Sequence, residues 1–461
     1  MGAVGRDKLP SKASGKEKGV SPLFESASIR RGMSEFEVVP FWQRLISLFG
    51  LFAMVGIAWL LSNRRDRVPW RVIGWGIGLQ LSFGVLVMKT DLGLRVFSIL
   101  NDLVLALLEF TAQGTEFIFG DFASEKFTIA INVLPTLIFF SSLMTILYYL
   151  GIMQRLVGMF AWIMRRTMRT SGPETLSAAA NSFVGQTEAP LMIAPFIRTM
   201  TMSELMAVMT CGFATVAGGV LAAYVGLLKD VFPDIAGHLI AASMMSAPAA
   251  LVIAKVMWPE TEELETDDEG AVEIDSPDVN VIDAAARGAY QGMKLALNVG
   301  AMLLAFIALI ALTNALLGLP FDLYNDWMGL EGAAAVEPLT LQQILGWIFW
   351  PFAFLIGVPV AECASVGTLL GEKLVLTEFI AYLHLYESLS EGVAQLSPRT
   401  VVIASYALCG FANFGSIGIQ LGGIGGIAPE RRHDLARLGL RAMFGGMLAS
   451  LMTASVAGML L

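Results

Sequence analysis

The most regular feature of this chain is a series of long apolar stretches separated by short polar ones. Phe41–Leu61, Phe127–Leu150, Leu295–Leu317 and Gly439–Leu461 carry few charges. Each is long enough to cross a hydrocarbon core of about 30 Å as a helix. The pattern therefore predicts a polytopic membrane protein and excludes a single anchor.

Two further stretches near the N-terminal end carry different patterns. Val72–Val87 is another apolar run, whereas Leu94–Phe119 mixes apolar residues with Asn101, Asp102 and Glu109. An amphipathic helix of this kind suits the membrane surface better than the bilayer interior. We expect Leu94–Phe119 to lie along the interface.

Two apolar segments are interrupted by glycine, proline and a glutamate. They are Asn181–Pro195 and Gly357–Gly371. An acidic side chain within a membrane segment normally faces the protein interior or a water-filled cavity, because lipid cannot solvate it. The two segments predict two re-entrant helical hairpins, with Glu188 and Glu362 inside the protein.

The chain also contains an internal repeat. Cys211–Ala214 and Cys409–Ala412 have the same sequence, and each copy is followed by a polar residue and then by small ones. Each copy also follows one of the two broken segments. Paired discontinuous segments in two halves of a chain indicate inverted repeats with a binding site near the membrane midplane.

Composition supports the membrane assignment and adds a domain division. The chain is 56% hydrophobic and 15% charged, and much of its net charge of -9 comes from eleven Asp and Glu residues between Pro259 and Asp283. Such an acidic run is typical of a solvated linker. The predicted division is a disordered tail at 1–40, N-terminal transmembrane helices with the interfacial helix at 41–125, a first repeat at 126–258, the acidic linker at 259–283 and a second repeat at 284–461.

Candidate catalytic chemistry is sparse. The three cysteines have no CxxC spacing, and His238, His384 and His433 lie far apart without a nucleophile motif. These patterns favour packing and interfacial roles over catalysis, so we expect neither an enzyme, a bound cofactor nor a nucleic-acid partner. A carboxylate, amino-acid or proton antiporter with similar broken helices and a membrane-embedded enzyme such as an intramembrane hydrolase are the alternatives. The hairpin segments lack the Lys or Arg that an anion would need.

Five motifs occur in a fixed order: Asn181, Gly185–Pro190, Gly212–Thr215, Val358–Glu362 and Gly410–Ser416. This series resembles that of the concentrative nucleoside transporters. The resemblance implies an all-α polytopic fold with about eight transmembrane helices, two re-entrant hairpins and an interfacial helix. It also implies a homotrimer in the cell inner (plasma) membrane that imports nucleosides by cation-coupled symport and alternating access.

The resemblance implies roles for individual residues as well. The nucleobase would be bound by the first hairpin and the ribose by the second hairpin and the unwound helix after it, while two residues pack on the base and the pocket wall. In that order, the matching positions are Gln186, Thr187 and Glu188, then Glu362, Asn413 and Ser416, and finally Phe411 and Val220.

A sodium ion would be the co-substrate. The matching ligand positions are Asn181, Val184, Thr215 and Val216, which supply amide, hydroxyl and carbonyl oxygens without a carboxylate. Some relatives use protons instead, for which Glu188 or Glu362 would be the carriers. The residues leave the choice between uridine and adenosine, and between purines and pyrimidines generally, open.

Overall fold

The computed structural model describes residues 40–125, 128–264, 278–330, 336–390 and 396–461, and these form helices and connecting turns without a strand. Nearly all of the predicted tail and most of the acidic linker lie outside these residues. The all-α fold expected from the apolar pattern is confirmed. The division of the chain into repeats at the stated boundaries stays a prediction.

Seven helical segments of the described residues are long and apolar enough to cross a membrane. They are Phe41–Leu60, Trp70–Lys89, Ile129–Tyr149, Met202–Leu228, Ile235–Met257, Val281–Met328 and Pro429–Leu460. Leu341–Leu355 and Phe414–Ile427 are shorter apolar helices. The structure is therefore that of a polytopic membrane protein.

Three helices come first: α1 (Phe41–Leu60), α2 (Trp70–Lys89) and α3 (Asp91–Phe119). The buried residues of α3 include Phe97, Asn101, Val104 and Leu108, spaced three or four apart, so one face packs on the protein while the other stays exposed. This one-sided burial is the pattern of an amphipathic helix. It matches the surface helix predicted for Leu94–Phe119.

Six helices follow within the described residues 128–258. They are α4 (Leu134–Tyr149), which follows a π-helical turn at Ile129–Val133, α5 (Ile152–Met168), α6 (Gly172–Asn181), α7 (Met202–Ala214), α8 (Gly218–Leu228) and α9 (Ile235–Met257). A 3-10 turn at Ala189–Ile193 lies between α6 and α7. At 10 residues, α6 is about 15 Å long and cannot cross the bilayer.

Seven helices follow within the described residues from 281 to 460. They are α10 (Val281–Met328), α11 (Leu341–Leu355), α12 (Cys363–Val375), α13 (Glu378–Ser390), α14 (Pro398–Leu408), α15 (Phe414–Ile427) and α16 (Arg432–Leu460). With 13 residues each, α12 and α13 are about 20 Å long, so they form a hairpin that enters the membrane without crossing it.

Small residues set the packing between the two halves. α10 crosses α4 at Gly288 and Gly292, where a methyl group on Gly292 would lie 2.6 Å from the Ile138 Cα. This Gly-x-x-x-Gly spacing is a common way for helices to approach closely in a membrane. α7, α8, α9 and α14 are buried over nearly their whole length. α7, α9 and α16 pack against one another, and the first hairpin rests on α7 and α9.

Candidate functional site

The first hairpin is α6, a turn and the following 3-10 segment. A capping box starts α6, because the Ser171 N–H donates to the Glu174 carboxylate at 2.8 Å and so satisfies a backbone donor that no helical turn can reach. After Asn181 the helix stops, and Gly185–Glu188 form the tip. The side chain of Gln186 is buried while that of Glu188 is exposed.

The hairpin tip contacts the break in the next helix. α7 ends at Ala214 and α8 begins at Gly218, so Thr215–Ala217 is unwound. The Gly218 N–H donates to the Phe183 carbonyl at 3.0 Å. The backbone that the break exposes is thus joined to the hairpin.

The four positions matched to a sodium site lie on the two segments that this hydrogen bond joins. Asn181, Val184, Thr215 and Val216 are all buried. The Thr215 hydroxyl donates to the Cys211 carbonyl at 2.9 Å, and the Asn181 Nδ2 donates to the Ser177 carbonyl at 3.0 Å. The Asn181 Oδ1 is buried without a hydrogen-bond partner, which is costly unless another group or an ion satisfies it.

The second hairpin has its tip at a different place from the one that the sequence suggested. Gly357, with φ of +94°, makes the bend into the hairpin, and Val360–Glu362 is a 3-10 turn at the start of α12. The tip is Leu376–Thr377, between α12 and α13. The segment predicted as the broken one is therefore the entrance of the hairpin.

Because the tip lies at Leu376–Thr377, the acidic residue at the tip is not Glu362. Glu362 is half-buried, and its Oε2 accepts from both the N–H and the hydroxyl of Ser397 at 3.1 Å, which holds the start of α14. The placement of Glu362 beside Asn413 and Ser416 was wrong, because a Pro-x-x-Glu sequence starts a helix as readily as it marks a tip. The acid at the tip is Glu378, the first residue of α13.

The second helix break brings Glu378 together with two predicted residues. α14 ends at Leu408 and α15 begins at Phe414, which leaves Cys409–Asn413 unwound. The Asn413 Oδ1 caps α15 by accepting from the Ser416 N–H at 2.8 Å. Its Nδ2 donates to the Glu378 Oε2 at 2.7 Å, and the Tyr224 hydroxyl donates to the Glu378 Oε1 at 2.9 Å.

Both hairpin tips and both breaks line one cavity of about 110 Å³. Its lining contains seven of the eight residues predicted for the nucleoside: Gln186, Thr187, Glu188, Val220, Phe411, Asn413 and Ser416. The eighth predicted residue, Glu362, does not line it, and Thr377 and Glu378 do. The Gln420 Nε2 donates to the Gln186 Oε1 at 3.0 Å and so orients the Gln186 side chain.

A larger cavity of about 370 Å³ adjoins the first. Gly185, Glu188, Ala217 and Leu295 line both cavities. The larger one extends along the first hairpin to Tyr148, Gln154 and Arg287, where α4 ends and α5 and α10 begin. Glu188 thus lies where the two spaces meet.

Sequence reasoning missed Glu378, Tyr224 and Gln420. Glu378 had a signal that could have found it, because it is an acid within the apolar run Leu374–Phe379, directly after the buried Lys373. Tyr224 and Gln420 had none, since a tyrosine and a glutamine in an apolar helix are equally compatible with packing.

Sequence models of one family match nearly the whole of the chain beyond residue 48. The Na+ dependent nucleoside transporter N-terminus matches residues 49–122 and its C-terminus matches residues 238–458. A nucleoside recognition gate matches residues 130–231. A transporter rather than an enzyme, with sodium as co-substrate, is therefore confirmed, as is a multi-pass location in the plasma membrane.

Individual relatives also match most of the length of this chain. The chain is 44% identical to an uncharacterized transporter, YutK, of Bacillus subtilis (strain 168), with 90% of this chain and 99% of that protein covered. It is 41% identical to sodium/nucleoside cotransporter 1 of Rattus norvegicus, with 91% of this chain covered. The chain spans 64% of the rat protein's length.

Solved structures of a related protein, in two conformational states, match the fold of this chain. The protein CNTnw in an inward-facing substrate-bound state is 43% identical with a TM-score of 0.82, covering 90% of this chain and 98% of that one. A CNTnw variant in an outward-facing state is 42% identical with a TM-score of 0.82, covering 90% and 97%. From the family models and from relatives matched over nearly their full length, we conclude that this chain belongs to the Na+-dependent nucleoside transporter family.

Proposed function

We propose that the smaller cavity is where this transporter binds its nucleoside. Gln186, Thr187 and Glu188 bind the nucleobase, since amide, hydroxyl and carboxylate groups match the mixed donors and acceptors of a base edge. Phe411 and Val220 pack against the ring. Asn413 and Ser416 bind the ribose, with Glu378 in the place that sequence resemblance gave to Glu362.

The observation that carries this proposal is the geometry around Glu378. A carboxylate has enough acceptor sites for the two donors that it already binds and for two adjacent sugar hydroxyls. Asn413 and Tyr224 hold it in one orientation by hydrogen bonds of 2.7 and 2.9 Å. A nucleoside with a ribose would therefore meet a prepositioned acceptor, and an apolar ring would leave it unsatisfied.

Sodium binds, in this proposal, between the first hairpin and the first helix break. The Asn181 Oδ1 and the carbonyls of Val184 and Val216 join the Thr215 hydroxyl as ligands. The free Asn181 oxygen supports this site, because a buried acceptor without a partner suits a cation. Ion binding there would order Gly185–Glu188 and so complete the base site, which couples the two substrates.

The larger cavity is the route between this site and the cytoplasm. It extends toward α5, which carries Arg155, Arg165 and Arg166, with Arg169 directly after it. Basic residues concentrate at the cytoplasmic ends of membrane helices. Glu188, at the junction of the two cavities, would be the last side chain to contact a departing base.

One sodium ion per nucleoside is sufficient to concentrate the substrate. A tenfold sodium gradient supplies about 1.4 kcal/mol, and a potential of about 100 mV adds roughly 2.3 kcal/mol. Together these give about 3.7 kcal/mol, or a few hundredfold accumulation.

The test is uptake of radiolabelled uridine and adenosine into proteoliposomes, with sodium and pH varied independently. Replacing sodium by choline at fixed pH should abolish uptake. In Asn181→Ala, half-maximal uptake should need roughly tenfold more sodium, since one ligand is lost. Uptake that follows pH and ignores sodium would favour proton coupling and overturn the ion site. The rates for the two nucleosides measure base preference directly.

The homotrimer stays a prediction. Leu304, Leu312 and Leu323 on α10 are exposed in the single chain, so they would face lipid or another copy. Light scattering of the solubilised protein, corrected for bound detergent, distinguishes three chains from one.

A further inference from the structure

Each of the two broken helices ends in carbonyl oxygens that no helical N–H can satisfy. α7 stops at Ala214 and α14 stops at Leu408. The last turn of a helix carries partial negative charge and leaves four carbonyls without partners inside the helix. In a membrane these groups need a donor or a cation.

At the end of α14 the cation is a side chain. The Lys373 Nζ donates to the Ala407 carbonyl at 2.9 Å and to the Cys409 carbonyl at 3.3 Å. Lys373 is 1% exposed and lies near the C-terminal end of α12, close to the tip of the second hairpin. The Ser450 hydroxyl adds a neutral donor to the Cys409 carbonyl at 2.8 Å.

At the end of α7 the donors are neutral. The Thr215 hydroxyl donates to the Cys211 carbonyl in the last turn at 2.9 Å, and one turn earlier the Gln420 Nε2 donates to the Met209 carbonyl at 3.1 Å. The first hairpin presents Asn181 here, at the C-terminal end of α6, and its Oδ1 has no partner. Thus one hairpin brings an ammonium to its broken helix, and the other brings a free oxygen.

We propose that Lys373 is a built-in cation that does in the second repeat what sodium does in the first. This inference rests on the sodium site proposed above. The ammonium holds the second hairpin against the unwound end of α14 at every sodium concentration, whereas the first hairpin is fixed only when the ion binds. Lys373 is thus a positioning residue, and it is why the second break takes no ion from solution.

The neighbouring charge strengthens this assignment. Lys373 lies five positions before Glu378, across the tip of the second hairpin, and both side chains are buried; Glu378 is the acid that we place on the ribose. Removing the ammonium would leave the Ala407 and Cys409 carbonyls and a buried carboxylate without a cation. That environment would attract a second sodium ion if space is available, because an uncompensated buried charge is strongly unfavourable.

The experiment compares Lys373→Ala, which opens space for an ion, with Lys373→Met, which fills it with an apolar chain. Thermal unfolding of the purified full chain is measured across sodium concentrations at constant ionic strength with choline. Lys373→Ala should be destabilised in choline. For each tenfold increase in sodium concentration, its Tm should rise about twice as much as that of wild type, since two sites then contribute. Where it still transports uridine, the Hill coefficient for sodium should rise from about 1 toward about 2.

Two further variants separate the possible failures. Ser450→Ala removes a neutral donor from the same Cys409 carbonyl and should keep the sodium response of wild type. Lys373→Met should be destabilised without recovery by sodium. A Lys373→Ala protein with the wild-type sodium slope, or with no folded state at any sodium concentration, overturns the proposal. If the dependence of Tm on sodium is unchanged in Asn181→Ala, the first ion site is overturned instead. The additional rise of Tm with sodium in Lys373→Ala is measured relative to wild type, so the two outcomes are distinguishable.

Discussion

The two copies of Cys-Gly-Phe-Ala have the same sequence and different conformations. Cys211–Ala214 forms the last turn of α7, and the chain unwinds only at Thr215–Ala217. Cys409–Ala412 is itself unwound, because α14 stops one residue earlier, at Leu408. Gly410 has φ of +114°, a conformation that glycine adopts readily and other residues rarely do.

The difference shows that the repeat encodes a break without fixing its position. The neighbours of each copy decide where the helix ends. In the second copy, Lys373 and Ser450 satisfy the Cys409 carbonyl from outside, and Asn413 starts the next helix as its cap. In the first, the Thr215 hydroxyl satisfies the Cys211 carbonyl and keeps that turn helical.

The largest expected effect is at the glycine of the second copy. A methyl group on Gly410 would lie 2.7 Å from the Ala214 backbone carbonyl carbon, where the two breaks cross, and its positive φ adds strain. We expect Gly410→Ala to lose about 3 kcal/mol of stability or more. Thermal unfolding and the yield of monodisperse protein measure this. A Tm within a few degrees of wild type would contradict the close approach of the two helix breaks at Gly410.

Next in size is the comparison between the acids of the two hairpins. Glu378 is 6% exposed and hydrogen-bonded by two side chains, whereas Glu188 is exposed at the cavity junction. Glu378→Gln should lower uridine uptake roughly 100-fold or more, since removing one partner of a buried charged network costs about 2–5 kcal/mol.

Two matched variants accompany that measurement. Glu188→Gln should lower uridine uptake roughly tenfold, since its carboxylate is partly solvated. Glu362→Gln should have a smaller effect than either, because its partner is Ser397 at the start of α14. A larger loss in Glu362→Gln than in Glu378→Gln would restore the assignment made from sequence.

A smaller effect is expected at the hydroxyl that follows the first copy. Thr215→Ala removes a proposed sodium ligand and the donor to Cys211, and should raise the sodium concentration for half-maximal uptake roughly tenfold. Thr215→Ser keeps the hydroxyl and serves as the control. Uptake at saturating sodium should be nearly unchanged in both, and an equal sodium response in Thr215→Ala and wild type would argue against this ligand.

The smallest effect is at the glycine of the first copy. A methyl group on Gly212 would lie 2.7 Å from the Gln420 Nε2 and 3.0 Å from the Gln186 Cβ, and the Gln420 side chain can move away. Gly212→Ala should raise the KM for uridine about threefold, which corresponds to less than 1 kcal/mol. A loss of folding as large as that of Gly410→Ala would contradict the difference between the copies.

Local pattern predicted much of the fold and part of the site. Apolar length predicted the spanning helices, and the spacing of polar residues predicted the surface helix α3. The motif at Gly185–Pro190 identified the first hairpin tip because glycine and proline interrupt a helix directly. The second tip contains neither glycine nor proline, since Leu376 and Thr377 form it. From the sequence, the acid of this hairpin was therefore placed at Glu362, in the nearest Pro-x-x-Glu sequence.

The sequence by itself determined that this chain spans a membrane, that two helices are broken near matching tetrapeptides, and which family it belongs to. These properties depend on hydrophobicity, on glycine and proline, and on motifs that lie close together in the chain. Only the tertiary structure decided which acid faces the cavity, which copy unwinds, and that Lys373 reaches the Cys409 carbonyl 36 positions away. The physical reason is that a freed backbone group is satisfied by whatever lies nearest in space, and packing between distant helices determines that neighbour.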